Sequence, residues 1–418
     1  MKNNQEHHFY ELSNGVRIIH KNSNTPVIHL GLFINAGSRD EKKEEQGMAH
    51  FIEHVIFKGT QKRKSYQIFN SIENVGGDLN AYTAKEETCI HCSVPAEYFE
   101  KAAEIIADVA FHSIFPDKEL EKEKDIIIDE YYYFKDIPEE TIMDDFDELV
   151  FGNHPLGYNI LGHPERIRQF SKKDIDAFMQ ANYHPSKMVV SVVGNVPEKN
   201  VYRIIQKYFD FRQTLQLKAR ARRKFSAYLP VKKAYKKKIF QSHCIMGTPA
   251  YSTFDKHKTA LILLNNLLGG PASNSLLNMA VREKHGLTYN IESNYSAFTD
   301  TGLFRIYVSA DNDSMEKTTE IIDKILKSLR GKKLGTLQLA RAKQQLLGNL
   351  CLALENKTAE MLSMGKAFLI FNRVDTVETI SRKIENITDM ELLEIANEIL
   401  CPACFCELKY LSDESYRG

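Results

Sequence analysis

GMAHFIEHVIFKGT, residues 47–60, is the stretch on which the reading of this chain turns. Taken as a helix, it places His50 and His54 one turn apart on one face, with Glu53 beside them. Phe51, Ile52, Val55 and Ile56 form pairs spaced by four on the other face, so the helix can bury an apolar stripe while its imidazoles face a cleft. Lys58-Gly59 closes it. These residue types suit a metal. Two neutral imidazoles bind Zn2+ and leave it needing a third protein ligand and an open position for water, whose pKa then falls to roughly 7. A carboxylate next to the second histidine can take a proton from that water and pass it to a leaving amine. His-x-x-Glu-His is the reversed form of the commoner His-Glu-x-x-His zinc signature. Five residues alone also fit a surface helix with a partly satisfied His pair, so the third ligand decides.

A second stretch, EKEKDIIIDEYYYF at residues 121–134, reads as an acidic helix. With both stretches in view, the chain resembles the inverted zinc peptidases that include pitrilysin, insulin-degrading enzyme and the mitochondrial processing peptidase. In that family the third ligand is a glutamate on a later helix, and Glu130 stands at the matching distance, 76 residues after His54 (130 − 54). Glu123, two turns earlier on the same face, matches a carboxylate that steers a ligand histidine. The resemblance therefore implies one Zn2+ per chain held by His50, His54 and Glu130, with Glu53 as general base and later acid.

The length of 418 residues exceeds one ordinary core and suits two to three domains. A hydrophobic fraction of 43% and a charged fraction of 26% are those of a globular protein. The 55 Lys and Arg balance the 55 Asp and Glu, so neither nucleic acid nor an acidic membrane surface is expected as partner. The opening residues contain no apolar core of a secretory signal, and no run of about 18 apolar residues occurs, so a cytoplasmic location is expected. Seven cysteines form no disulfide framework. Cys89 and Cys92 lie three apart in a predicted strand and should pack on opposite faces. Cys401-Pro-Ala-Cys404 has the spacing of a redox or metal pair but no second pair elsewhere, and a structural role is the preferred reading.

Strands are expected at 8–20 and 27–36, a helix at 65–75, two strands across DLNAYTAKEETCIHCSVP, and helices at 96–112 and 117–135 with another from Pro138. His91, on the second of those strands, reads as a core or surface residue. His154 and His163 each precede Pro and read as turn residues. A helix at 172–181, a strand at 188–193 and a helix at 197–209 complete a first domain, 1–211. Residues 212–238, RQTLQLKARARRKFSAYLPVKKAYKKK, read as a basic interdomain linker. The plan then recurs in 239–418, where LILLNNLLGG stands in place of the metal motif, so a duplicated domain without metal is expected.

The resemblance adds the remaining expectations. The fold class is α+β: two homologous domains, each a mostly antiparallel sheet packed with helices, arranged as a clamshell. Asn80 and Ala81 fall on an edge strand to which an extended peptide adds. Arg282 and Tyr289, in VREKHGLTYNI, match a pair that holds substrate near the metal. Short or unfolded peptides are the implied substrates of an endopeptidase. Both residue sets stand in one chain, which favours a homodimer over a heterodimer with a related subunit. The competing reading is a noncatalytic peptide-binding or assembly subunit, which usually loses one or more motif residues.

Overall fold

The computed structural model describes residues 7–211 and 221–413. Among these residues the strands form one six-stranded and one five-stranded sheet. The first contains β1 (His8–Glu11), β2 (Arg17–Asn22), β3 (Val27–Ile34), β4 (Asp78–Thr83), β5 (Thr88–Pro95) and β6 (Met188–Gly194), in the order β1-β2-β6-β3-β5-β4. Only β2 and β6 are parallel; every other neighbour is antiparallel. The second contains β7 (Lys232–Lys237), β8 (Ser242–Ala250), β9 (Ile291–Ala297), β10 (Gly302–Ala310) and β11 (Cys406–Ser412), in the order β7-β11-β8-β10-β9. Again a single parallel pair, β7 with β11, lies beside antiparallel neighbours. The duplicated α+β plan expected from element order is thus visible in strand order, and β1 alone has no counterpart.

β6, MVVSVVG, is buried along its whole length because the first sheet is covered on both faces. On one face Ile28, Leu30 and Leu32 pack with Phe51, Ile106 and Phe178 of the helices. On the other, Ile19, Phe33 and Val189 pack with Met361, Met364 and Phe368. Cys92 belongs to the first cluster and Cys89 to the second, the opposite faces that their spacing predicts.

The helix covering that second face, Lys357–Phe371, comes from late in the chain. It is bound by more than apolar contact: Ser191 Oγ donates to Met361 O at 2.9 Å, Arg17 Nη1 to Phe368 O at 3.1 Å, and Lys21 pairs with Glu360 at 2.8 Å. The exchange is mutual. Helix Pro138–Phe151, early in the chain, places Ile142, Phe146 and Val150 against Ile245, Tyr307 and Leu408 of the second sheet. Arg305 Nη1 donates to its Asp147 at 3.1 Å. The compact units therefore comprise, among described residues, 7–132, 158–211, 221–223 and 352–376 in one and 133–157, 224–351 and 377–413 in the other. They are not the contiguous 1–211 and 239–418 expected, because the apolar faces of the two helices are satisfied by sheets remote in sequence.

The basic segment also differs from expectation. Residues 212–220 lie outside the described residues, but Lys232–Lys237 is a strand, with Lys232 opposite Glu407. It escaped detection because a sheet edge carrying lysines shows no alternation of burial. The expected strand at 8–20 is interrupted by a turn at Leu12–Val16, where Gly15 takes φ 91°.

Gly365 of the exchanged helix sits where an added Cβ would stand 2.1 Å from the Phe33 ring, whereas Gly348 has nothing within 4 Å. Gly365→Ala is expected to cost about 1–3 kcal/mol by overpacking. Gly348→Ala, in an exposed helix, should be neutral or stabilise by up to about 1 kcal/mol. Urea unfolding of both variants checks the contrast; equal effects would contradict the tight seating of the helix.

Candidate metal centre

Helix Met48–Val55 carries the histidines. Met48, Phe51, Ile52 and Val55 are buried and fix the rotation of the helix, which leaves His50 and His54 to share the opposite face with ring centroids 4.6 Å apart. Helix Asp117–Lys135 lies beside it and buries Leu120, Ile127 and Ile128. That anchoring presents Glu123 and Glu130 to the histidines.

Glu130 Oε2 stands 3.3 Å from His54 Nε2 and 3.9 Å from His50 Nε2. The three donor atoms offered by His50, His54 and Glu130 all fall within 4.8 Å of one another, and no other such group occurs among the described residues. Two ligands about 2.1 Å from a tetrahedral zinc ion are about 3.4 Å apart, so this donor set fits zinc after small adjustments. Glu123 lies behind. Its Oε2 is 3.4 Å from His54 Nδ1 and its Oε1 is 2.8 Å from Lys58 Nζ. A carboxylate at Nδ1 keeps the proton there and leaves Nε2 free to ligate. His50 Nδ1 is buried with no hydrogen-bond partner among the described residues.

The electrostatics separate the two imidazoles. Burial, with the neighbouring His54, pushes the His50 pKa down to about 4. Burial also opposes charge on His54, but Glu123 and Glu130 outweigh it and raise that pKa to about 9. The hydrogen bond from His54 holds Glu130 below the usual carboxylate range. Burial resists ionisation of Glu123, yet His54 and Lys58 leave it lowered too. Glu53 moves the other way: burial raises its pKa against the hydroxyl and N–H of Thr83, which donate to its carboxylate.

Three contributors had not been singled out from the sequence. Lys58 lies four residues after His54, a helical spacing that could have suggested it. Thr83 reaches Glu53 from β4, and Glu41 binds the start of the metal helix from a preceding loop; no local pattern marks either.

The other candidates are placed as follows. Asn80 is exposed on β4 and its Oδ1 accepts from Ala81 N at 2.8 Å; the half-buried Ala81 packs against the core. β4 is the last strand of its sheet, and its Thr83 Oγ1 lies 3.4 Å from Ala49 O, so an open strand edge borders the metal helix. Arg282 and Tyr289 belong to the second unit. Arg282 Nε donates to Glu283 at 3.1 Å, and Tyr289 is 91% exposed. His91 pairs across from Asn80, and His154 Nδ1 accepts from Leu156 N at 3.2 Å in a turn. Cys401 and Cys404 are free thiols, the first just before the turn Pro402–Cys404 and the second at its end. No described helix is long and apolar enough to cross a membrane.

Comparison with known proteins bears on the family of the chain. Residues 17–164 match the family described as Insulinase (Peptidase family M16), and residues 169–346 match the Peptidase M16 inactive domain. The uncharacterized zinc protease YmxG of Bacillus subtilis is 32% identical over 380 residues, covering 90% of this chain and 92% of that protein. An uncharacterized zinc protease of Rickettsia felis is 31% identical over 398 residues, covering 93% and 94%. The structure of a protease from Helicobacter pylori superposes with TM-score 0.87 at 20% identity, covering 97% of this chain and 99% of that one. A peptidase M16 inactive domain structure from Pseudomonas fluorescens gives 0.88 at 18% identity, covering 97% and 98%. The chain belongs to the insulinase family of zinc peptidases, family M16.

His54 must lose a proton to ligate, and its pKa stands at about 9. Apparent zinc affinity is therefore expected to rise roughly tenfold per pH unit between about pH 6 and 8. Chelator competition across that range checks the slope, and a flat profile would contradict the protonated His54. Glu123→Gln should weaken zinc binding by about 10- to 100-fold.

Proposed function

We propose that this protein is a zinc-dependent endopeptidase acting on short or unfolded peptides, with one zinc ion per chain. The observation that carries the reading is the convergence of His50, His54 and Glu130 donor atoms within 4.8 Å, next to a carboxylate, Glu53, whose pKa is raised. A purely structural zinc site usually fills four positions with Cys and His, whereas two His and one Glu leave one open.

His50, His54 and Glu130 would hold the metal. When bound, zinc supplies Lewis acidity toward the scissile carbonyl and lowers the pKa of water at the open position. Glu53 takes the proton of the attacking water on its carboxylate and delivers it to the nitrogen of the leaving amine. The burial that raises its pKa favours both halves of that cycle, since the group must hold the proton between them. Glu123 keeps His54 in the ligating tautomer, and Lys58 neutralises Glu123 from its far side. The open edge of β4 at Asn80 and Ala81 offers backbone groups to an extended peptide, a mode that reads main chain more than side chains. Folded substrates lack a free strand to offer. Arg282 would grip substrate main chain or a terminal carboxylate, and the Tyr289 phenol would donate to the developing oxyanion. One chain carries both the metal residues and this pair, which supports a homodimer.

Purified protein is expected to cut a quenched, unstructured peptide library, to stop on chelation, and to bind zinc at one ion per chain. Glu53→Gln should keep its zinc while losing about 100- to 10,000-fold in kcat. Zinc bound at full occupancy with no peptide cut by wild type would turn the assignment toward a noncatalytic peptide-binding subunit.

A further inference from the structure

The metal helix is only eight residues long, Met48–Val55, and such a helix does not hold its own geometry. Its first backbone N–H groups have no partner within the helix. Its N-cap residue, Gly47, takes φ 93° and has no side chain with which to cap them. Glu41 fills that place from outside. Its Oε2 accepts from Gly47 N at 3.0 Å and its Oε1 from Ala49 N at 2.9 Å. Ala49 immediately precedes His50. Glu41 is 4% exposed, and burial pushes its carboxyl well above the usual carboxylate range against the two backbone N–H groups and nearby Lys85, so its hold on the helix is the pair of hydrogen bonds.

Glu41 is itself held rigidly. In the two residues before it, Arg39 Nη1 donates to Glu86 at 2.6 Å and Arg39 Nη2 to Arg223 O at 2.8 Å. Asp40 receives Arg222 in a fork, at 3.0 Å from Nε and 2.8 Å from Nη2, and accepts from Gly37 N at 3.0 Å. A Cβ at Gly37 would lie 2.2 Å from Ala84 O, so the loop is pressed against its neighbour as well. Buried charge-assisted bonds of this kind are strong and geometrically specific. The segment 37–41 is therefore a fixed post.

We propose that Glu41 is a positioning residue for the metal centre: by clamping Gly47 and Ala49 it sets the axial position of the first helical turn, and with it where His50 and Glu53 stand. The inference rests on the zinc-peptidase reading above. Arg222 acts one step further back, through Asp40.

Glu41→Gln preserves shape but turns an NH2 group toward one of the two amide N–H groups. Zinc affinity by chelator competition, the visible spectrum of the cobalt(II)-loaded protein, and kcat and KM for a quenched peptide are to be measured on full-length wild type, Glu41→Gln and Arg222→Gln. We expect Glu41→Gln to bind zinc at least tenfold more weakly, to shift the cobalt spectrum, and to lower kcat tenfold or more with KM within twofold. Arg222→Gln should move the same quantities in the same direction by a few fold. A folded Glu41→Gln with wild-type zinc affinity and cobalt spectrum would overturn the proposal and leave Glu41 as a cap alone. If Glu41→Gln does not fold, Arg222→Gln decides: a shifted spectrum with weaker zinc binding supports the role, and wild-type values overturn it. Should wild type bind zinc but cut nothing, the peptidase reading fails while the affinity and spectral comparisons still judge Glu41.

Discussion

The site rests on one contact between two helices, the 3.3 Å approach of Glu130 Oε2 to His54 Nε2. The histidines need only a helical turn to come together. Bringing a carboxylate to them requires a second helix, Asp117–Lys135, seated on the core by Leu120, Ile127 and Ile128. Those apolar residues set its rotation, so a burial pattern determines whether three ligand atoms converge.

The same contact creates an electrostatic problem with a definite solution. Glu53, Glu123 and Glu130 stand near two imidazoles in a partly buried place, where unpaired charge is costly. Each carboxylate has a different set of neighbours. Glu130 faces the histidines, Glu123 is divided between His54 and Lys58, and Glu53 is turned to Thr83 of β4. The result is a set of groups with separated proton affinities: one imidazole kept neutral by burial, one kept charged by two carboxylates, and one carboxylate raised toward proton transfer. Such separation is what distinct acid, base and ligand roles within a single cluster require.

Around this centre the two sheets share a plan but not a boundary. Each unit completes the cover of its sheet with a helix from a distant part of the chain, 357–371 in one and 138–151 in the other. β6 can be buried throughout because Met361 and Phe368 cover the face that Phe51 and Ile106 do not. Exchange of this sort makes stability of the unit that carries the two histidines depend on residues some 300 positions after them (357 − 54 = 303).

Much was legible in the sequence because it was local or periodic. The histidine pair follows from a spacing of four in a helix, the opposed faces of Cys89 and Cys92 from a spacing of three in a strand, and the duplication from a repeated order of elements. Family resemblance supplied Glu130 and Glu123. What escaped lacked a local signature: β7 hides its alternation under lysines at a sheet edge, and Glu41 and Thr83 reach the metal helix across loops. By itself the sequence determined the chemical inventory of the site and the α+β plan, since residue type and period are properties of a short segment. Only the tertiary structure decided which carboxylate serves which imidazole, how proton affinities separate, and which sheet each helix covers, because burial and distance depend on packing between segments far apart in the chain.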